Sequence, residues 1–501
     1  MGTTVKSGML AALFVIGSIS TLGCSSDDSE DGSNRGNNPN LGMSCSLDAD
    51  CGAGLLCVSL ECVADPNASN GDIGGGGPGN GGDNGFNTLM DQTPGATIDT
   101  SFIWIANSDQ GTVSKIDTRT LTELGRYTTS PTGAGMPSRT SVAASGDVAV
   151  ANRGGVGAAA FGGGCFSGFE PACSMMAAPG GGTETGVTKI WSNVDNCVDA
   201  NGNGTIETSS GGNDILAWGT DECVAWHTVI PHWSNRPLAW APPQGPDATL
   251  EMVWTAGATT CTNTGCQWTV YRLHGNTGAI EDTVEFSNAG GMPFVGPGVI
   301  TNYGPYGGAS DAAGNFWGFV GNTTHLFYVD AMSLQTATWP IPRANGYGLT
   351  IDSVGRIHLC GNAGMSRFDP GTATWTENAS VGGTTTAYNG CMTDGKGTLW
   401  VGGGVDFGAS GLHAFDTETL QLNGSYDVGA VKGVSIDIDG FVWGVGGAGS
   451  TMAAQTATQA FKLDPASGQA ETFNGLVGAY SYSDMTGFGL AQAGYEPVVL
   501  E

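Results

Sequence analysis

The chain has 501 residues, of which 85 are glycine and 12% are charged, with a formal net charge of −30. A norm of roughly 7% glycine and about 25% charged residues makes this a turn-rich composition, suited to short strands whose turns need positive φ. No Gly-X-Y period exists, which excludes collagen, and the acidic balance excludes a nucleic-acid partner, because a phosphate backbone calls for a basic face.

The first residues carry Lys6 and an apolar run from Met9 to about Ile19, then small residues before Cys24. That run is too short to span a bilayer and reads as a signal peptide over residues 1–23. "STLGC" resembles a bacterial lipobox, which implies lipidation of Cys24 and a membrane anchor. Thr21 stands where that pattern has Leu, so ordinary signal peptidase is the alternative. Ser25, rather than Asp, follows the cysteine, which by the sorting rule of such lipoproteins implies the outer membrane, within the cell envelope.

Residues 24–44 form an acidic tether without a sizeable apolar run, and 45–62 a small module containing Cys45, Cys51, Cys57 and Cys62. The module has neither C-x-x-C nor His, so disulfides are the reading preferred over metal. Residues 63–98 are a Gly-rich flexible linker. Thirteen cysteines is an odd number, and setting Cys24 aside for lipid leaves twelve. In an exported chain the remaining sequence neighbours suggest the pairs Cys165/Cys173, Cys197/Cys223, Cys261/Cys266 and Cys360/Cys391, though spacing alone does not fix connectivity.

From residue 99 to 501 the sequence repeats. "DAAGNFW" from Asp311, "DSVGRIH" from Asp352, "DGKGTLW" from Asp394 and "DIDGFVW" from Asp437 start 41, 42 and 43 residues apart. Each sits between β runs, and a later run ends in Asp330, Asp369, Asp416 or Asp464. About four short strands per period is the pattern of a propeller blade. Weaker copies at 102–120, 141–153 and 236–257 bring the count to seven, with six or eight as alternatives. The first copy begins at its second strand, and "SYSDMTGFGLAQ" (481–492) reads as the missing inner strand. The expected fold class is therefore all-β, a seven-bladed β-propeller closed by a C-terminal strand.

An insertion in the second blade, about 190–225, holds the sharpest local motif. Asp199, Asn201 and Asn203 alternate, Gly204 follows, and Thr205 and Ile206 come next, matching the first two-thirds of an EF-hand-type loop. Position 12 is Ser210 instead of Glu, so Glu207, Asp214 or Asp221 must close the shell. The expectation is a structural Ca2+ held by Asp199, Asn201, Asn203, Thr205 and Glu207, against a plain Asn-Gly turn.

"PYGGASDAAGNFW" is similar to the blade signature of virginiamycin B lyase-like propellers. The resemblance implies a channel mouth at which His and Glu bind a metal and open a cyclic peptide by elimination. The slot of those His residues falls here on Tyr306, Tyr347, Tyr388 and on Val431 or Lys432, and no Glu follows Trp317 or Trp400. His358 replaces the blade tryptophan and reads as a buried, hydrogen-bonded side chain; His227 and His232 are the best remaining His pair, without metal geometry. With no catalytic residues identified, Tyr306, Tyr347 and Tyr388, joined by Arg139, Arg236 and Arg343, are the candidate ligand-binding residues, for a small molecule, glycan or protein. A binding or scaffold role leads. A metal-dependent lyase or lactonase-type enzyme, and a purely structural envelope protein, are the alternatives.

Overall fold

The computed structural model describes residues 55–58, 61–64, 101–153, 184–232, 235–242, 250–262, 265–288, 304–320, 325–342, 346–361, 364–378, 388–403, 410–446, 458–482 and 484–492. The leader, Cys24, Cys45, Cys51, Cys165, Cys173, Arg343 and most of the tether and linker lie outside them. The chain divides into two units, 1–82 and 83–501. In the first, strands Leu55–Val58 and Glu61–Ala64 pair antiparallel with Cys57 opposite Cys62.

The second unit consists of seven antiparallel sheets in chain order, and it is a seven-bladed β-propeller. The blades span 102–128, 137–229, 238–288, 305–340, 346–378, 388–426 and 431–474. Six have four strands and blade one has three of its own. The tail supplies the fourth. Ser108 N donates to Gly478 O, Tyr480 N to Ala106 O and Trp104 N to Met485 O, at 3.0, 3.0 and 2.9 Å. Closure is thus carried by residues 478–480 and 485 instead of a regular strand over 481–492. Beyond the second pairing point, Phe488–Gln492 is a helical turn.

Two aspartate turns explain the repeat. In "DAAGNFW", Asp311 accepts the N–H of Ala313 and Asn315 on one oxygen and the Trp317 indole N–H, at 2.8 Å, on the other. Asp394 and Asp437 hold Trp400 and Trp443 in the same way. Gly314, Gly355, Gly397 and Gly440 all have positive φ, which is why the motif requires glycine there. The second turn follows the third strand. Asp117, Asp330, Asp369 and Asp416 each accept two backbone N–H groups, and Leu121, Leu334, Ala373 and Leu420 then adopt φ of 53 to 57°.

Adjacent blades bury aromatic rings between them, as where Trp254 and Trp268 of blade three meet Phe316 and Phe327 of blade four, with centroids 5.7 and 5.5 Å apart. Disulfide Cys360–Cys391 joins blades five and six, and Cys197–Cys223 closes the insertion between the third and fourth strands of blade two. Cys261 and Cys266 lie opposite each other across a hairpin. No helix of the described residues is long and apolar enough to cross a membrane.

Candidate functional site

The innermost strands begin with a common irregularity. Pairing skips one residue at Ser138, Tyr306, Tyr347 and Lys432, where Pro137 and Arg139, Pro305 and Gly307, Gly346 and Gly348, and Val431 and Gly433 bracket the bulge. Bulges re-aim a side chain and end regular pairing. In blade six the irregularity lies between Tyr388 and Cys391. Counting back five from the turn aspartate gives Tyr306, Tyr347, Asn389 and Lys432. Arg236 occupies the same place in blade three: it precedes Ala239, the partner of Trp254, by three residues, as Tyr306 precedes Ala309, the partner of Trp317.

This register corrects one expectation. Tyr388 is one residue early, and a one-residue slip in a strand sends a side chain to the opposite face. Its ring packs edge-on against His413 and Phe415, between blades. Asn389 takes the ring position instead, donating to Val431 O at 3.0 Å and accepting from Lys432 Nζ at 3.2 Å. Asn389 and Lys432 were legible from the spacing of the turn aspartates; the Tyr388 reading followed residue type.

Tyr306, Tyr347, Arg139 and Arg236 do come together, and the tail brings Tyr480 and Tyr482 among them. Arg139 occupies the position held by Gly307, Gly348 and Gly433 in other blades. Its guanidinium is 3.0 Å above the Tyr482 ring and donates to the carbonyls of Tyr306 and Tyr482, at 2.7 and 3.2 Å. Arg236 lies 4.9 Å from the Tyr306 centroid and donates to Tyr482 Oη at 3.3 Å. Arg153, at the end of blade two's second strand, is 4.8 Å from the Tyr480 ring and donates to Met136 O and Ser108 Oγ. Lys432 is 5.1 Å from the Tyr347 ring. Tyr480 Oη is within hydrogen-bond reach of Tyr347 Oη at 2.8 Å and Tyr306 Oη at 3.2 Å.

The electrostatics of this cluster follow from its charges. Burial alone would raise the Tyr480 phenol, but Arg236, Lys432 and Arg153 pull it down to about 6. Burial and the neighbouring phenols push Tyr306 and Tyr347 up, so these remain hydroxyl donors. Burial lowers Arg153, and the charge of Arg236 adds to that lowering.

His358 is fully buried, and its Nε2 meets Asp352 Oδ2 at 2.9 Å, the place of the indole N–H in sister blades. His227 contacts Thr188 Oγ1 and the edge of Trp218, whereas His232 lies against Tyr271; these surroundings differ.

In the blade-two insertion, Asp199 accepts backbone N–H groups from Gly202, Asn203 and Gly204. Asn201 and Asn203 each donate to one oxygen of Glu207, at 2.7 and 2.8 Å. Glu207 is thus the carboxylate across the loop, while Ser210 bonds Asp214 and Asp221 bonds Thr208 and Ser209. Among the described residues, no group of three or more His, Cys, Asp or Glu is placed to hold a metal ion.

No protein-family model and no curated protein sequence matches the chain. Among solved structures, it is similar to a functionally unknown protein from Desulfotomaculum acetoxidans DSM 771, with TM-score 0.45 and 10% identity over 77% of this chain and 98% of that one. It is similar also to a catalytically inactive virginiamycin B lyase from Staphylococcus aureus with quinupristin, with TM-score 0.39 and 11% identity over 74% and 88% of the two chains. A protein of unknown function from Bacteroides caccae has TM-score 0.37 and 9% identity over 65% and 92%. The seven sheets of the chain itself establish the architecture, a β-propeller.

Proposed function

We propose that the chain is an exported, lipid-anchored propeller of the cell envelope that binds a ligand at its channel mouth and does not act as a lyase. One observation carries this reading. The slot in which the resemblance puts the lyases' His holds Tyr306, Tyr347 and Lys432, and the matching ring positions of other blades hold Ser138, Arg236 and Asn389, a set that offers aromatic faces and donors and contains neither His nor carboxylate. The test is a ligand-detected NMR screen of aryl glycosides, dipeptides and aromatic acids on the full chain and on Tyr347→Ser. Hits that vanish in the variant support the mouth; hits indifferent to it, or opening of quinupristin to a linear isomer, overturn the reading.

The address and the calcium loop belong to the same proposal. Palmitate labelling that is lost in Cys24→Ser supports the anchor. The alternating oxygens of Asp199, Asn201 and Asn203, the Thr205 carbonyl and Glu207 suit a hard cation in number and type. A bound Ca2+ would order the insertion, with no role in turnover. A fall in Tm on chelation, absent in Asp199→Ala, is the expected outcome.

A further inference from the structure

The chain carries 16 Lys and Arg among 501 residues and a net charge of −30, yet four of those cations meet at one place. Arg139 and Arg153 come from blade two, Arg236 from the approach to blade three, and Lys432 from blade seven. Each lies against the tyrosine cluster: Arg139 against Tyr482, Arg153 against Tyr480, Arg236 against Tyr306 and Lys432 against Tyr347. Arg139 and Arg236 are 1% and 4% exposed. Burying cations is costly unless negative charge or strong acceptors compensate. The acceptors placed on them here include the carbonyls of Tyr306, Tyr482 and Met136, the hydroxyls of Ser108 and Tyr482, and the amide of Asn389, and the phenol of Tyr480, drawn down to about 6, sets one negative charge against the four cations. Asp109 is a carboxylate that feels the charge of Arg153, from an exposed turn.

Two further atoms point the same way. Ser138 Oγ, at the ring position of blade two, and Arg139 Nε beside it are buried without a hydrogen-bond partner among the described residues. Buried polar atoms of this kind call for a partner the chain itself does not supply. Arg153, Lys432, Tyr347 and Tyr480 are only partly buried, so the cluster reaches solvent on their side.

Resting on the reading of the channel mouth as a binding face, we infer that its ligand is held by a compact oxyanion, carboxylate or phosphate, seated among Arg153, Arg236 and Lys432 with an aromatic or apolar group against Tyr347. Guanidinium forks match both oxyanions and stack on aromatic faces, so the site selects charge and flatness together. The phenol of Tyr480, drawn toward its anionic form by Arg236, Lys432 and Arg153 against the effect of burial, marks the same spot as one that favours negative charge.

The experiment titrates the full chain with benzoate, phenyl phosphate and the neutral benzamide at constant ionic strength, by calorimetry and by the near-ultraviolet phenolate band. The expected result is that at least one anion binds about tenfold or more tighter than benzamide, that Lys432→Gln weakens the anion and not benzamide, and that Arg119→Gln on the outer rim changes neither. The anion should also raise the titration midpoint of Tyr480, because a neighbouring negative charge disfavours the phenolate. Preference between benzoate and phenyl phosphate tells carboxylate from phosphate. Equal binding of benzamide and the anions, or anion binding indifferent to both Lys432→Gln and Arg153→Gln, overturns the oxyanion and leaves the mouth as a neutral site. Absence of binding by all three overturns the mouth reading with it.

Discussion

At the scale of single residues, His358 shows how one side chain can replace another by keeping a single donor. Three blades place an indole N–H on the turn aspartate, and blade five places an imidazole there. Burial would raise Asp352, but hydrogen bonds from His358 and Arg356 bring it to about 2, while burial keeps His358 below its usual value and neutral. The unfolded chain therefore takes up a proton on His358 that the folded chain refuses, so stability falls as pH drops through 6.5; the Asp352 contribution is lost later, from about 4 to about 2. His358→Gln keeps a donor and should remove the first step from the pH dependence of Tm. His358→Ala should cost about 2 to 4 kcal/mol in denaturant unfolding through a lost bond and a cavity. Tyr480 works with the same sign at higher pH. Its depressed phenol gives stability that is complete above pH 10 and is lost as pH falls to about 6. A phenolate band with a midpoint near there, missing from Tyr480→Phe, is the expected spectrum, and the variant should lose the rise in stability across that window.

At the scale of elements, turns and closures carry the architecture. The turn aspartates and their positive-φ residues repeat because each hairpin must reverse in four or five residues. The tail is the element most exposed to a single substitution. Gly433 in blade seven has no room for a side chain, since a Cβ there would collide with the Ser481 carbonyl. Gly433→Ala should displace the tail, with an expected cost of about 1 to 3 kcal/mol and a new tendency to self-associate through the uncovered edge of blade one, read by light scattering. The disulfides span 26 and 31 residues. Loop entropy assigns each about 3 to 4 kcal/mol, so reduction should lower the unfolding midpoint, and Cys360→Ser with Cys391→Ser should reproduce the loss between blades five and six.

At the scale of the whole molecule, the fold was largely legible in the sequence and the site only in part. Spacings of 41, 42 and 43 between aspartates announce blades because each must rebuild the same two turns, and those turns depend on contacts within a few residues. Tyr306, Tyr347 and Arg236 were recognisable from the same phase. Tyr388 was misplaced because side-chain direction depends on a bulge, and a bulge is a property of pairing between strands. Arg153, Tyr480 and Tyr482 were missed because no local pattern marks them; Arg153 lies more than 300 residues from the two tyrosines and meets Tyr480 through ring closure. The sequence by itself determined the blade and its period, since local hydrogen bonds and alternation specify these, and the seven sheets chose seven from the six to eight it allowed. Only the tertiary structure decided which side chains take the ring positions and that four cations gather around one cluster of tyrosines, because closing a ring sets the distance between residues whose separation along the chain says nothing about it.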